Sequence, residues 1–153
     1  MTSPAPLATI GRPVSKIRLD VRSLQVVRRA RDRIDRDYAG QLPVAELARD
    51  AGYSLAQFIR VFEAAYGETP GRYRTRRRVE RACELLRGAN LTVTEVCMAV
   101  GFASLGTFSR TFSAIVGVSP SVFRANRVAL SAPTCFSMSW SRPSSFGEAR
   151  AAG

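Results

Sequence analysis

The spacing of apolar residues along the chain predicts α-helices through most of its length. Apolar side chains recur at intervals of three and four positions, and polar or charged side chains occupy the positions between them. Seven segments show this pattern: about 23–38, 44–51, 54–66, 70–87, one that begins near 92, 104–116 and 120–128. The sequence therefore predicts an all-α fold of about seven helices.

One pair of these helices occurs twice. Residues 44–48, Val-Ala-Glu-Leu-Ala, match residues 93–97, Val-Thr-Glu-Val-Cys, at an offset of 49. Residues 58–62, Phe-Ile-Arg-Val-Phe, match residues 108–112, Phe-Ser-Arg-Thr-Phe, at an offset of 50. The second turn therefore holds one extra residue. A duplication of this kind predicts one domain with two similar lobes.

Turn and capping residues mark where the paired helices begin and end. Gly52 suits the left-handed conformation of a tight turn, and Ser54 forms a capping box with Gln57 at the next helix. Thr69 caps a long helix that Pro70 opens. Equivalent signals recur in the second copy at Thr92, Glu95 and Ser104. The sequence thus predicts two helix-turn-helix subdomains, at about 43–66 and 92–116, joined by a linker helix over about 70–87.

The second helix of each pair has two distinct faces. One stripe at positions i, i+3 and i+7 is apolar and is predicted to be core: Leu55, Phe58, Phe62, Leu105, Phe108 and Phe112. The opposite face is small or polar: Ala56, Gln57, Arg60 and Ala64, then Gly106, Thr107, Arg110 and Ala114. In a helix-turn-helix this exposed face enters the major groove of DNA. These two faces are therefore the candidate base-reading surfaces.

Arg60 and Arg110 are the strongest candidates for base contacts. Arginine offers two parallel donors to guanine, or a charge to phosphate, and small neighbours let a helix approach the base edges closely. The alternative is that both arginines are only solvated charges. Gln57 and Thr107 are equally well explained as capping residues or as base contacts.

Side chains outside the reading faces are candidates for contacts with the DNA backbone. The linker helix carries a run of arginines: Arg72, Arg74, Arg76, Arg77, Arg78 and Arg81. Hydroxyl groups near the reading helices are further candidates, at Ser54, Ser104, Ser109 and Thr111, although the first two are equally explained as caps. A linker of 18 residues spans roughly 27 Å, and successive major grooves lie about 34 Å apart. Both helices can therefore enter adjacent grooves if the DNA bends or the protein flexes.

The composition points to a polyanionic partner. The net charge is +11, and nearly all of the 23 basic residues are arginine. A solvated basic surface is the alternative.

The composition also excludes some classes of function. Histidine is absent, which excludes histidine-based catalytic triads. The first residues lack the pattern of a signal peptide, and no segment reaches the ~18 apolar residues that span a bilayer.

The cysteines favour packing over chemistry. Cys83, Cys97 and Cys135 are spaced too widely for a metal clip, and their odd number argues against a disulfide framework, so a reducing cytosol is expected. Cys97 occupies the position of Ala48 in the first copy, which favours a close helix crossing. Cys83 has the same interpretation, although arginines near it would favour reactivity. We expect no metal, no cofactor and no small-molecule ligand.

Both ends of the chain lack the helical pattern. Residues 1–19 contain prolines and no sustained period, which predicts a flexible N-terminal arm. Residues 129–153 are rich in serine, proline and alanine, which predicts a disordered tail. Large apolar side chains in that tail leave a docking segment as the alternative: Phe136, Met138, Trp140 and Phe146.

Several motifs, in this order and spacing, resemble the AraC/XylS type of bacterial transcription regulator. They are Ala48-Arg-Asp-Ala-Gly52-Tyr-Ser54, Phe-x-Arg-x-Phe, Gly-x-Thr-Pro, and Val100-Gly-Phe102 through Gly-x-Ser-Pro-x-x-Phe-Arg124, and the resemblance covers about 23–127. It implies that residues 20–128 form an AraC-type DNA-binding domain that binds double-stranded DNA and recruits or positions RNA polymerase. The chain resembles the short, MarA-like members, or the DNA-binding half of a longer regulator.

The resemblance also implies roles for particular residues. The family's base-reading positions fall on Ala56, Ile59 and Arg60 in the first reading helix, and on Gly106, Thr107 and Arg110 in the second, with Ser109 and Thr111 at backbone-contact positions. The chain departs from the MarA-like pattern at Ala56 and Ile59, where larger or polar side chains are typical. This leaves Arg60 as the main polar reader of its helix and Ile59 as a candidate contact to a thymine methyl group.

The expected function is sequence-specific transcription regulation without enzymatic activity, in the bacterial cytoplasm on the nucleoid. We expect an activator that contacts RNA polymerase and binds DNA as a monomer, because one chain holds both readers. One alternative is a non-specific architectural DNA- or RNA-binding protein driven by arginine charge. Another is a DNA-repair methyl acceptor that uses a cysteine, since some such proteins carry AraC-type segments.

Overall fold

The computed structural model describes residues 19–126, and this part of the chain forms seven helices. They are α1 (Val21–Asp37), α2 (Val44–Asp50), α3 (Leu55–Tyr66), α4 (Pro70–Gly88), α5 (Val93–Ala99), α6 (Leu105–Val116) and α7 (Pro120–Ala125). No strand occurs within 19–126, so the predicted all-α fold is confirmed, with the pairs α2–α3 and α5–α6 on either side of the linker helix α4. The predicted arm, the predicted tail and Cys135 lie outside the described residues, apart from Leu19.

The ends of the outer helices differ from their predicted positions. The apolar pattern placed the start of α1 near Ser23, whereas the helix begins at Val21. Asp20 is the cap, because its Oδ1 accepts a hydrogen bond from the backbone N–H of Ser23 at 2.7 Å. Hydrogen bonds with Ser23 also hold the pKa of the Asp20 carboxyl below its ordinary value. At the other end, α7 ends at Ala125, earlier than the predicted end near 128.

Each lobe has a hydrophobic core of its own, and α4 belongs to both. The core of the first lobe is formed by α1, α2 and α3 with Tyr73 from the start of α4. The core of the second lobe is formed by α5, α6 and α7 around Val79, Cys83 and Leu86 from the rest of α4. Because both cores hold one continuous helix of 19 residues, α4 is a stiff connection between the lobes. The predicted two-lobed architecture is confirmed.

The predicted apolar stripe is correct for its phenylalanines and wrong for its leucines. Phe58, Phe62, Phe108 and Phe112 are all 0% exposed, but Leu55 and Leu105 are 46% and 44% exposed. The leucines point in nearly the same direction around the helix as the phenylalanines. However, each is the first residue of its helix, almost a turn before the first buried phenylalanine, where the neighbouring helices no longer cover it.

The turns of the two helix pairs have the predicted conformation. Gly52 and Gly101 have φ angles of +72° and +86°, in the left-handed region that glycine adopts without strain. The helices before these turns lie against their lobes through Ala48 and Cys97, which are 2% and 1% exposed. The interpretation of Cys97 as a packing residue is thereby confirmed.

Candidate nucleic-acid interface

Helix α3 presents the first candidate reading face. Ala56, Gln57 and Arg60 are among the exposed side chains of this face, and Ile59 is half-buried at its edge. Because Phe58 and Phe62 hold the opposite side of α3 in the core, this face has to point outward. The Arg60 side chain has no partner among the described residues, so its guanidinium is available to a ligand.

Helix α6 presents an equivalent face in the second lobe. Gly106, Thr107 and Arg110 are exposed, and Ser109 and Thr111 are half-buried. A side chain added at Gly106 would meet nothing within 4 Å, so glycine leaves open surface at this position. Arg60 and Arg110 both lie six residues after the serine that caps their helix. The two lobes therefore present the same charge at the same place.

The predicted capping residues behave differently in the two copies. Ser54 Oγ accepts a hydrogen bond from the backbone N–H of Gln57 at 3.3 Å, but the exposed Gln57 side chain has no described partner. Ser104 Oγ accepts one from the backbone N–H of Thr107 at 3.2 Å and lies 2.9 Å from Thr107 Oγ1. The predicted capping box at Ser54 is therefore only half formed. The Gln57 amide is open to a ligand, whereas the Thr107 hydroxyl is held at the start of α6.

Glu63 is an exposed acidic side chain that the apolar pattern did not single out. It follows Arg60 by three positions, so the two side chains are neighbours on the surface of α3. The second copy has Ser113 at the equivalent position. The sequence could have revealed Glu63, because it is a single carboxylate between two residues assigned to the reading face, Arg60 and Ala64. Such a carboxylate can accept a hydrogen bond from the cytosine amino group, and it repels phosphate.

Three of the six arginines in the predicted run are paired with carboxylates of the chain itself. The ion pairs are Arg76 with Glu68 and Glu80, Arg77 with Glu80 and with Asp35 of α1, and Arg81 with Glu84. Arg76 and both of its partners are largely buried, with side chains 12–18% exposed. The positive charge of Arg76 is therefore neutralised by carboxylates within the protein. The predicted run of phosphate contacts does not extend to Arg76.

The other linker arginines differ from one another. Arg74 Nη1 donates to the carbonyl oxygen of Leu42 at 2.7 Å, and Arg78 likewise donates to backbone carbonyls of the first lobe. The phosphate role of Arg74 stays a prediction, for which its remaining N–H groups are available. Arg72 is exposed, and its side chain has no partner within the described part of the chain. It is the linker arginine best placed to meet an external anion.

Comparisons with known proteins identify this arrangement of helices. A family model described as a helix-turn-helix domain matches residues 47–126, which are 80 of the 153 residues. The chain belongs to the AraC-type family of helix-turn-helix transcription regulators. This confirms the family predicted from the motifs.

Relatives in the AraC-type family differ in how much of their length this chain matches. AarP, a transcriptional activator of Providencia stuartii, is 32% identical over 91 residues, which are 60% of this chain and 67% of AarP. An HTH-type transcriptional regulator of Mycobacterium tuberculosis is 40% identical over 81 residues, which are 53% of this chain. The match spans only 31% of that longer regulator.

A solved AraC-type structure extends the likeness to the fold. The DNA-binding domain of AdpA, a global transcriptional factor, was crystallised in complex with a target DNA. It is 30% identical to this chain, with a TM-score of 0.59, and the match covers 70% of this chain and 93% of that domain. This chain therefore carries an AraC-type DNA-binding domain.

AraC-type proteins are a family of DNA-binding regulators and not a family of enzymes. Burial raises the pKa of the Cys83 thiol to about 11, so this group is protonated at neutral pH. Residues 19–126 contain no group of three or more potential metal-ligating side chains. Within the same range, no helix combines the length and the apolar character needed to cross a bilayer.

Proposed function

We propose that this chain is a sequence-specific DNA-binding transcription regulator that inserts α3 and α6 into adjacent major grooves. The observation that carries the proposal is the pair of equivalent outward faces, with Arg60 on one and Arg110 on the other. The AdpA domain, which was solved with its target DNA, supports it through a shared family and fold. The continuous helix α4 supports a single reader that engages two half-sites with one chain.

The two arginines are the main readers of sequence in this proposal. Each guanidinium can donate two parallel hydrogen bonds to O6 and N7 of a guanine in the major groove. Ala56 and Gly106 lie near the start of the same faces, where small side chains let the helix come close to the base edges. One guanine in each half-site is therefore the expected core of the target.

The remaining reading residues make the two lobes unequal. The exposed Gln57 amide can pair with N6 and N7 of an adenine, and Ile59 can contact a thymine methyl group. In α6 the Thr107 oxygen already accepts the Ser104 hydroxyl proton, so Thr107 has only its own hydroxyl proton to offer to a base, and Arg110 is the main polar reader. We expect the half-site bound by α3 to be the more specific of the two.

Contacts with the DNA backbone would fix the position of these readers. The N-termini of α3 and α6, each the start of a 12-residue helix, direct N–H groups and a partial positive charge toward phosphate. Ser54 can donate its hydroxyl proton to phosphate while its oxygen caps the helix. Ser104 can do the same once its proton turns away from Thr107 Oγ1. Further donors for the backbone are Arg74, Ser109 and Thr111.

We further propose that the protein is an activator that contacts RNA polymerase and works as a monomer on the DNA of the bacterial nucleoid. The name of AarP, a transcriptional activator, supports the direction of regulation. Transcription in vitro, with purified bacterial RNA polymerase and a promoter that carries the selected site, tests it. We expect more transcript when the protein is added, and a decrease would show a repressor instead.

Selection of bound fragments from random DNA, followed by footprinting, tests the reading function. We expect two protected half-sites about one helical turn apart, because the two reading faces occupy successive grooves. Random duplex that competes equally well with the selected fragments would contradict this result. That outcome would favour the architectural alternative, in which arginine charge alone holds nucleic acid.

Arg60→Ala and Arg110→Ala test the assignment of the reading faces. Each change should lower the discrimination at one base pair of its own half-site by about 1–3 kcal/mol, since a bidentate contact is lost. Arg29→Ala removes an equal charge from the exposed side of α1 and serves as the matched control. If the arginine variants keep the site preference of the unaltered chain, the assigned faces are wrong.

A further inference from the structure

Three segments of the chain meet between the two lobes, at the side chain of Arg78. Its Nε donates to the carbonyl oxygen of Tyr38 at 2.6 Å, and its Nη2 donates to that of Gly40 at 3.1 Å. Its guanidinium carbon lies 5.7 Å from the centroid of the Phe102 ring. Tyr38 and Gly40 follow α1 in the first lobe, whereas Phe102 is buried in the core of the second lobe. One side chain thus contacts both lobes.

Gly101 brings the turn of the second helix pair directly against the first lobe. A Cβ atom at this position would lie 2.1 Å from the carbonyl oxygen of Ala39 and 2.8 Å from its Cα. Both are backbone atoms, so no side-chain rotation can make room. Gly52, its counterpart in the first copy, has nothing within 4 Å of its equivalent Cβ position. The close approach is therefore specific to the second turn.

The environment of Arg78 suits a bound cation. Carbonyl groups that follow the C-terminus of α1 carry a partial negative charge, and the face of the Phe102 ring adds an attraction of its own. Burial and the neighbouring positive charge of Arg74 act against this attraction and lower the pKa of Arg78, so the carbonyls and the ring offset a cost of burying the charge. Without the backbone carbonyls of residues 38–40, the half-buried guanidinium would lose all of its described hydrogen-bond acceptors. The contact is therefore favoured over an arrangement in which the lobes separate here.

We propose that Arg78 and Gly101, together with residues 38–40 and Phe102, form a clasp that sets the orientation of α3 relative to α6. Its consequence for DNA rests on the proposed function, because both reading faces have to reach their grooves at the same time. Arg78 and Gly101 are positioning residues, which act through the orientation of the lobes and not by touching DNA. The competing explanation is that α4 alone sets this orientation, since it contributes to both cores.

The distance between the two reading helices distinguishes these explanations without DNA. Spin labels are attached at Ala64→Cys and Ala114→Cys, which occupy equivalent exposed positions on α3 and α6, in a full chain that also carries Cys135→Ser. Cys83 and Cys97 are buried, and burial raises the pKa of both thiols, which protects them from labelling. Electron–electron double resonance then gives the distribution of distances between the labels.

The clasp predicts a broader or shifted distribution in Arg78→Ala and in Gly101→Ala. Gly52→Ala, with the same left-handed backbone but open space, is the control for Gly101→Ala. Arg72→Ala is the control for Arg78→Ala, since it removes an exposed arginine of the same helix. Identical distributions in all four variants would overturn the clasp in favour of α4. If Gly101→Ala loses its helical circular dichroism signal, the variant has unfolded. The comparison of Arg78→Ala with Arg72→Ala then decides between the clasp and α4.

Binding to DNA tests the consequence of the clasp. Arg78→Ala should bind a duplex with both selected half-sites about tenfold more weakly, but a duplex with one half-site less than about twofold more weakly, because only joint binding depends on orientation. Equal losses on both duplexes would show that Arg78 touches DNA and would overturn its positioning role. A chain without any sequence preference would refute the proposed function, while the distance measurement would still decide the clasp.

Discussion

Glu63 shows how one side chain can change what a reading helix does. It lies next to Arg60 on an otherwise small and uncharged face, whereas the second copy has an uncharged serine there. A carboxylate close to DNA lowers the affinity for every sequence, because it repels phosphate. It also favours a cytosine that donates its amino group. If α3 enters the major groove as proposed, we expect Glu63 to lower the affinity for DNA and to raise the preference for one base pair of the first half-site.

Glu63→Gln tests this expectation. We expect roughly two- to fivefold tighter binding to random duplex at low salt, where charge repulsion is least screened, together with a weaker preference for the selected site. Asp37→Asn is the matched control, because it removes an exposed negative charge at the end of α1. Dissociation constants measured for both duplexes at one salt concentration give the answer. An equal response of the two variants would mean that only the net charge matters.

The apolar pattern predicted the buried phenylalanines because helical period fixes the direction in which a side chain points. Phe58 and Phe108 are buried as that period requires. Leu55 and Leu105 share the direction but lie at the helix start, and period carries no information on where the covering helices end. The accessible arginines of the reading faces were predicted for the same reason as the phenylalanines. The open Gln57 and the engaged Thr107 could not be told apart, since both follow a capping serine by three residues.

The first helices of the two pairs differ in how they begin, although their sequences align. Thr92 and Glu95 form a complete capping box at α5, with Glu95 Oε2 accepting from the backbone N–H of Thr92 at 2.7 Å. In the first copy Pro43 takes the place of Thr92 and offers neither a hydroxyl nor an N–H, so Glu46 has nothing to cap. Oε2 of Glu46 instead lies 3.6 Å from Nη2 of Arg33, so the equivalent glutamates of the two copies have different partners.

The dependence of the free energy of unfolding on pH, in the acid range, should reveal the role of Glu95. Hydrogen bonds from the backbone and side chain of Thr92 hold the pKa of Glu95 below its ordinary value. The stabilisation is therefore complete above about pH 4.3 and is lost as the pH falls through the lower pKa of the folded chain. Glu95→Gln should flatten the fall in the free energy of unfolding below that pH, measured by urea denaturation. Glu46→Gln is the control, and a matching effect there would contradict the role of the cap.

Fewer arginines are available to DNA than the total of 23 basic residues suggests. Arg76 is held between Glu68 and Glu80, and Arg78 is occupied by carbonyl groups of the first lobe. Arg78 contacts both lobes, whereas Arg76 ties α4 to the segment that precedes it. We therefore expect fewer nonspecific contacts with polyanions than the number of arginines would allow, which supports the proposed reading function over the architectural alternative.

The salt dependence of DNA binding should reflect this division among the arginines. Each phosphate contact contributes about 0.9 to the slope of log affinity against log salt. Arg72→Ala should therefore reduce the slope by about that amount if its exposed charge meets phosphate, while Arg76→Ala should leave the slope unchanged. Fluorescence anisotropy titrations from low to physiological salt measure both. Equal reductions in the two variants would show that the ion pairs of Arg76 open on DNA.

The contacts that orient the two lobes relative to each other could not be predicted from the sequence. Repeats and caps predicted each lobe and the continuous helix between them, because those signals are local. The contact of Arg78 with Tyr38 joins residues 40 positions apart, and no period or motif links them. The ion pair of Arg76 with Glu80, four positions apart on one helix, was readable in principle, but the run of arginines suggested DNA instead.

The unequal surroundings of Gly52 and Gly101 imply that the two turns accept different substitutions during evolution. Asparagine and aspartate also adopt left-handed backbone conformations, so position 52 can exchange glycine for either of them with little loss of fitness. Position 101 cannot, because any Cβ meets the backbone of Ala39. A saturation library of both codons should therefore return several survivors at the first turn and glycine alone at the second, although the duplicated motif is the same.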